Sequence, residues 1–201
     1  MLFAFDIETV GVASDSGILS ASLVYCDPEN LAEDNTEAYL QLLSQSCFVK
    51  FDINEQIKNI DLKKLRSMDS GTLRWWQKQG EIQQTASLIP NKEIDVSVYD
   101  GMKTLSSFFD YHRKGKDANV WLRGSLDQLA TESICNSYDA PNWLIYNHTR
   151  EVRTALDLLY PEFVNNGYVE VPGFDVSNVV KHHPTHDCAY DLLMLFRGRQ
   201  V

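Results

Sequence analysis

The sequence predicts an α/β fold in which a mixed central β-sheet is flanked by layers of helices. Two observations favour this fold. Strand-like segments separated by turns come first, which indicates an antiparallel start to the sheet. Strand-like and helix-like segments then alternate, which indicates parallel strands joined by helices. The chain of 201 residues can bury a sizeable core, and we expect a single domain over residues 1–201.

The strands are recognised by alternating apolar side chains and by β-branched residues. In the first ten residues, Phe3, Phe5 and Ile7 alternate with small or acidic side chains. Residues 36–52 fit either a helix followed by a strand or one bent strand, and we favour a strand at their end. We expect strands at residues 1–10, 18–26, 47–51, 119–122 and 143–146.

The helices are recognised by apolar stripes and by their end signals. Ser70 or Thr72 suits the start of a short helix that Gly80 ends, and Pro161 ends a later one. We expect helices at residues 70–79, 96–112, 127–138, 149–160 and 187–197. Strands first, followed by alternating strands and helices, is the element order of a ribonuclease H-like three-layer domain.

The charge is negative overall but unevenly distributed. The net charge of −10 argues against a protein that coats nucleic acid, yet allows a nuclease whose acids surround metal ions. Residues 58–78 contain two acids, Trp75, Trp76 and several basic residues, a combination typical of a path for single-stranded nucleic acid. The basic residues are Lys58, Lys63, Lys64, Arg66, Arg74 and Lys78.

Several classes of protein are not favoured by the sequence. No apolar run is long enough to cross a membrane, and the first residues do not resemble a signal peptide. The four cysteines are widely scattered, so we expect free thiols rather than a zinc site or disulfides. We therefore expect a cytoplasmic protein.

Asp6 and Glu8 are the first candidate site residues. Side chains two apart on a strand project from the same face, so these carboxylates should lie close together. Two ionised carboxylates that repel each other are stabilised by a cation between them, which indicates a divalent-metal site. The alternative is an edge strand that carries two solvated acids.

Asp127 is the next candidate, because it follows the strand expected at 119–122 and starts a helix. A carboxylate is favoured at a helix N-terminus, and α/β folds bind ligands at the carboxyl ends of their strands. The alternative is that Asp127 only caps the helix.

His186 and Asp191 lie five residues apart at the start of the last predicted helix. A histidine with a pKa near neutrality, within reach of a metal-bound water, suits a general base. One alternative is a capping or surface histidine. Another is a zinc cluster formed by His182, His183 and His186, although no Cys or His partner lies at a useful spacing elsewhere.

Together these residues resemble the motifs of the DEDD superfamily of 3′–5′ exonucleases, in the DEDDh subclass that has a histidine before the last aspartate. Asp-Ile-Glu-Thr is similar to its first motif, Asp127 after Trp121-Leu-Arg-Gly to its second, and His-x-x-x-x-Asp to its third. A closer resemblance, to the exonuclease A group of T-even bacteriophages and related bacterial exoribonuclease domains, rests on four runs. These begin at Thr72, Trp121, Arg150 and Thr185.

The resemblance implies hydrolysis from the 3′ end with release of nucleoside 5′-monophosphates. It also implies two Mg²⁺ or Mn²⁺ ions held by Asp6, Glu8, Asp127 and Asp191, with His186 accepting a proton from water. It favours single-stranded DNA as the substrate, with RNA as the alternative, and the host cytoplasm if the chain is phage-encoded. A non-catalytic nucleic-acid-binding module or a zinc-dependent phosphoesterase would be different classes of protein.

Five further residues are candidates for substrate binding. Thr9 matches the position whose backbone meets the 3′ end of the substrate in the resembled family. Trp75 and Trp76 could stack on bases, although adjacent helical residues diverge, so at most one should do so, and both could be core. Arg150 and Arg153 could contact phosphate or pair with acids of their own helix.

Overall fold

The computed structural model describes residues 1–58 and 65–198. We number its strands and helices in chain order. They are β1 (Leu2–Thr9), β2 (Ile18–Cys26), α1 (Asn35–Ser44), β3 (Ser46–Lys50), α2 (Ile53–Lys58), α3 (Ser70–Trp76), α4 (Glu81–Gln83), α5 (Val98–Arg113), β4 (Asn119–Leu122), α6 (Leu126–Tyr138), β5 (Thr149–Glu151), α7 (Val152–Leu159) and α8 (Pro184–Arg197). None of these helices is both long and apolar enough to span a lipid bilayer.

The sheet has five strands in the order β3-β2-β1-β4-β5, so β1 lies at its centre. β1 pairs antiparallel with β2 and parallel with β4. β3 and β5 extend the sheet, antiparallel to β2 and parallel to β4 respectively. This confirms the prediction of a mixed sheet flanked by helices, and the arrangement is consistent with a ribonuclease H-like fold.

Alternate residues of β1 are buried on the two faces of the sheet. Phe3 and Phe5 belong to the same buried cluster as Met102 and Leu105 of α5. Ala4 belongs to the cluster on the opposite face, which contains buried residues of α1, α7 and α8. Each fully buried side chain of the larger apolar type contributes about 1.5–3 kcal/mol, so both helical layers are held to β1 by burial. Asp6 and Glu8 follow Ala4 on the α8 face.

The last helix, α8, begins three residues earlier than predicted. Pro184 occupies its first turn, where a proline costs no hydrogen bond, and the residues from Cys188 to Leu195 are buried. The helix therefore passes through the core on the face of the sheet that carries Asp6 and Glu8.

The ambiguous stretch at residues 36–52 forms helix α1 followed by strand β3. The carboxylate of Asp34 accepts hydrogen bonds from the backbone N–H groups of Thr36 and Glu37, which caps the helix. The strand predicted at residues 143–146 is wrong, because the segment forms no sheet pairs, although Trp143 and Leu144 are buried. The fifth strand is β5 instead. Helix α7 starts after Glu151, whose carboxylate caps the helix by accepting a hydrogen bond from the Thr154 backbone N–H.

The basic stretch at residues 58–78 is only partly a surface feature. Lys63 and Lys64 lie outside the described residues. Arg66 is buried, and its guanidinium donates to the carbonyl oxygens of Ser14 and Ser16 and to the hydroxyl of Ser133. Arg66 therefore ties the loop after β1 to α6, and it is not available to a substrate.

Candidate active site

Asp6 and Glu8 line one cavity of about 560 Å³ beside α8. Burial raises the pKa of Asp6 well above its ordinary value, and the nearby carboxylates of Asp127 and Glu8 raise it further. The pKa of Glu8 is raised by burial and then by Asp187 and Asp127. A cluster of buried acids with these pKa shifts is unfavourable unless protons or a cation neutralise it.

Asp127 lies in the first turn of α6, as the sequence predicted, and is only 6% exposed. Its pKa is raised to about 8, mainly by burial. A hydrogen bond from the Arg123 backbone accounts for part of its hydrogen-bonding capacity, but Oδ2 has no partner among the described residues. A buried carboxylate oxygen without a partner is costly, and a bound cation would satisfy it.

Asp187 and His182 complete the cluster, and neither belonged to the acid set or the base predicted from the sequence. Asp187 lies in the first turn of α8, and its carboxylate accepts a 2.9 Å hydrogen bond from the His182 backbone N–H. Burial raises the pKa of Asp187 to about 7. Glu8, His182 and Asp187 each offer one ligand atom, and these atoms lie within 4.8 Å of one another. This donor set fits a divalent cation, because oxygen ligands with one imidazole suit Mg²⁺, Mn²⁺ or Zn²⁺.

His186 lies in the first turn of the last helix, close to where the sequence predicted it, but its side chain points away from the cavity of Asp6 and Glu8. Its Nδ1 is 2.7 Å from the hydroxyl of Tyr39 on α1 and accepts a 3.3 Å hydrogen bond from the Val180 backbone N–H. Its ring also packs against His183, and it does not line the cavity of Asp6 and Glu8. Because α8 starts at Pro184, position 186 already lies in the helix and turns towards α1.

The sequence contains a signal that distinguishes the two histidines. The spacing His-x-x-x-x-Asp occurs twice, as His182 with Asp187 and as His186 with Asp191. Spacing alone cannot choose between these overlapping pairs. Pro184 distinguishes the two pairs, because a proline favours the first turn of a helix. A helix that starts at Pro184 has Asp187 in its first turn.

Asp191 lines the same cavity, but its carboxylate is already paired. The Arg123 guanidinium donates to both oxygens, with Nε at 3.0 and 3.1 Å, and Nη2 forms a further short contact. Burial raises the pKa of Asp191, and the hydrogen bonds from Arg123 oppose that shift. Arg123 is itself fixed by the Gly167 carbonyl oxygen and by the ring of Tyr168, 4.3 Å away. Asp191 therefore shares the cavity of Asp6 and Glu8 while it is paired with Arg123.

The rest of the cavity wall is basic and aromatic. Arg153, Lys181 and Tyr168 line it together with Arg123. Arg150 does not reach it, because its Nη1 donates to the carbonyl oxygens of Asn147 and Thr149 at the end of the sheet. Of the two arginines proposed to contact phosphate, only Arg153 borders the cavity.

A second cavity of about 540 Å³ adjoins the first and shares Glu8 with it. Thr9, Val12, Trp75 and Trp76 are among its lining residues. Trp76 is 1% exposed, and its indole N–H donates to the Thr9 carbonyl oxygen at 2.9 Å, so it is a core residue and not a stacking platform. Trp75 is 40% exposed and is the tryptophan of the pair that a base could reach.

Comparison with known proteins agrees with this arrangement. Residues 1–194 match the model of the Rv2179c-like 3′-5′ exoribonuclease domain. The chain is also 24% identical to the exodeoxyribonuclease of Enterobacteria phage T4 over 210 residues, covering 96% of this chain and 86% of that protein. The resemblance inferred from the motifs is thereby confirmed. The chain belongs to the Rv2179c-like 3′-5′ exoribonuclease domain family and is a 3′–5′ exonuclease related to the phage enzyme.

Proposed function

We propose that the chain removes nucleotides from the 3′ end of single-stranded DNA with two divalent cations, Mg²⁺ or Mn²⁺, and releases nucleoside 5′-monophosphates. The observation that carries this proposal is a group of four buried or partly buried carboxylates with raised pKa values, two of which lie close to His182: Asp6, Glu8, Asp127 and Asp187. A module that only binds nucleic acid has no use for such a costly cluster.

The four carboxylates would hold the cations. When bound, these ions would lower the pKa of a water molecule and stabilise the leaving oxygen of the scissile phosphodiester. Asp127 suits a ligand because its Oδ2 is buried without a partner among the described residues. Asp191, which the sequence suggested as a ligand, is better suited to orient Arg123 at the edge of the site, since both of its oxygens accept from that guanidinium.

His182 is our choice for the group that accepts the proton from water. Its pKa is lowered, first by burial and then by Lys181, so the ring is neutral and can accept a proton at neutral pH. It lines the cavity with Asp6, whereas His186, the sequence-based choice, is bonded to Tyr39. The alternative is that the His182 imidazole binds a metal ion together with Glu8 and Asp187 and does not act as the base.

Substrate binding is assigned by position along the two cavities. Thr9 and Trp75 border the second cavity, next to Glu8. This cavity suits the sugar and base at the 3′ end. Arg153 and Lys181 border the other cavity and suit a phosphate of the strand.

Residues 1–201 are proposed as one exonuclease domain, and four free cysteines suit a cytoplasmic setting.

The choice of DNA over RNA rests on the phage relative, which is named an exodeoxyribonuclease. The family itself is described by exoribonuclease activity, so RNA is the alternative substrate. Discrimination between them requires contacts to the 2′-hydroxyl group. Matched DNA and RNA strands of one sequence, digested side by side, would separate the two.

The test uses single strands labelled at the 5′ or the 3′ end, with Mg²⁺, Mn²⁺, Zn²⁺ or EDTA. We expect 5′-labelled strands to shorten stepwise, 3′-labelled strands to release a labelled mononucleotide at once, and EDTA to abolish both. Asp6→Asn should remove activity, while Asp110→Asn, on an exposed ion pair of α5, should not. Binding without cleavage would favour the non-catalytic module, and activity restored by Zn²⁺ alone would favour the zinc phosphoesterase.

A further inference from the structure

Trp75 connects the two cavities of the site. Its indole borders the second cavity, beside Thr9 and Glu8. The same ring meets the imidazole of His182 edge-on, with ring centroids 4.7 Å apart and an interplanar angle of 83°. His182 lines the first cavity, which contains Asp6 and Glu8. The contact therefore joins helix α3 to the loop that precedes α8.

His182 needs such a contact to hold its ring in place. Its backbone has a left-handed φ of 61°, and its N–H is fixed by the Asp187 carboxylate. Within the described part of the chain, the ring nitrogens of His182 make no hydrogen bond, so the orientation of the ring depends on packing. An edge-on contact between aromatic rings is favourable beyond the area that it buries, so this contact favours one rotamer of His182.

The helix that carries Trp75 is anchored to the strand that carries Glu8. The Asp69 carboxylate accepts from Thr72 N–H at 2.6 Å and caps α3, and Asp69 N–H donates to the Val10 carbonyl oxygen. The adjacent Trp76 is buried and donates to the Thr9 carbonyl oxygen. The position of Trp75 is thus fixed relative to the end of β1.

We propose that Trp75 is a positioning residue that holds the imidazole of His182 towards Glu8 and Asp187. This inference rests on the proposed function of His182. It gives Trp75 a role that differs from base stacking, the role suggested by its sequence. Stacking would act on substrate affinity, whereas positioning acts on turnover through His182.

A double-mutant cycle separates these roles. Trp75→Ala should lower kcat by about 10- to 100-fold, since a displacement of about 1 Å in a site can cost about 100-fold, while KM changes less. Trp75→Phe, which retains an aromatic ring, should recover most of that loss. If Trp75 acts through His182, the double variant Trp75→Ala with His182→Ala should be no slower than His182→Ala alone. Ile82→Ala, at an exposed position on α4, is the control and should match the parent.

A second measurement uses metal-free protein and needs no activity. The imidazole NMR signals of His182, identified by their absence in His182→Ala, should show a ring-current shift from Trp75. In Trp75→Ala these signals should move to the positions and line shapes of a mobile histidine, and Trp75→Phe should retain part of the shift.

The outcomes are distinguishable from failure of the proposed function. A parent protein without nuclease activity would refute the proposed function, while the NMR comparison would still test the contact. An active parent in which Trp75→Ala raises only KM, or slows His182→Ala by the same factor as the parent, would overturn positioning in favour of stacking. Unchanged His182 signals in Trp75→Ala would also overturn it.

Discussion

Replacing His182 and His186 in turn tests which of the two histidines accepts the proton from water. His182 lies in the cavity with Asp6, whereas His186 is bonded to Tyr39 outside it. If His182 accepts the proton from water, His182→Ala should lower kcat by about 10²–10⁴-fold, the usual contribution of a positioned base. Its side chain makes no hydrogen bond within the described residues and loses mainly the ring contact with Trp75, so the free energy of unfolding should fall by no more than about 1.5 kcal/mol.

The expected effect of His186→Ala is the reverse. The variant loses the 2.7 Å hydrogen bond to Tyr39, a residue only 1% exposed, and leaves that hydroxyl without its partner. A buried hydroxyl without a partner costs about 1–3 kcal/mol, and the lost volume adds to this. The free energy of unfolding should fall by roughly this amount, while kcat should stay close to that of the parent.

The assay measures kcat on a labelled strand and urea unfolding on the same preparation of each variant. Tyr39→Phe is a matched control, because it removes the same hydrogen bond from the other side and should lower stability without affecting turnover. Loss of turnover in His186→Ala with normal unfolding, together with an active His182→Ala, would refute the structural reasoning and restore the assignment made from the sequence.

Three further predictions concern the buried charges. Because the pKa of Asp187 is raised to about 7 and that of Asp127 to about 8 from an ordinary 3.8, their contribution to the stability of the metal-free protein should be greatest below pH 3.8 and should be lost as pH rises from 3.8 to about 8; a flat melting profile over this range would contradict this, and Asp127→Asn should reduce the slope. A fixed Mn²⁺ concentration, about 100 times the dissociation constant at pH 8, should stabilise the protein by about 2.7 kcal/mol at pH 8 and by less at lower pH, where binding must displace these protons; an equal effect at both would refute the assignment. Arg123→Ala should cost about 3–5 kcal/mol in urea unfolding because it leaves Asp191 buried and unpaired, whereas Arg113→Ala, in an exposed pair, should cost less than about 1 kcal/mol.

Much of the site could be predicted because its signals are local. The two-residue period of β1 put Asp6 and Glu8 on one face, and the structure places both on one cavity. Asp127 was expected at the start of a helix after a parallel strand, and it lies there. In each case the side-chain direction follows from the element itself, so a correct element is sufficient.

The rest depended on boundaries and on contacts between distant segments. α8 starts at Pro184, three residues before the predicted start, so His186 lies inside the helix and turns towards α1. The burial of Arg66 depends on carbonyl groups of the loop after β1, about fifty residues earlier. The strand predicted around Trp143 had the apolar composition of a strand, but the tertiary structure placed the pairing at β5 instead.

The central position of β1 also governs the order in which the chain can fold. β1, β2 and β3 pair antiparallel with neighbours that are close in the sequence. The parallel pairing of Leu2 with Asn119 instead closes a loop of more than one hundred residues, and α8 docks on the same face of the sheet as Ala4. Before α6 and α8 dock, we expect Asp6 and Glu8 to be hydrated, so their mutual repulsion should become costly only when these helices enclose them. The last part of the folding reaction therefore carries the electrostatic cost. Interactions formed after the transition state change unfolding rates more than folding rates, so divalent cations should prolong the lifetime of the native state while leaving the rate of collapse nearly unchanged.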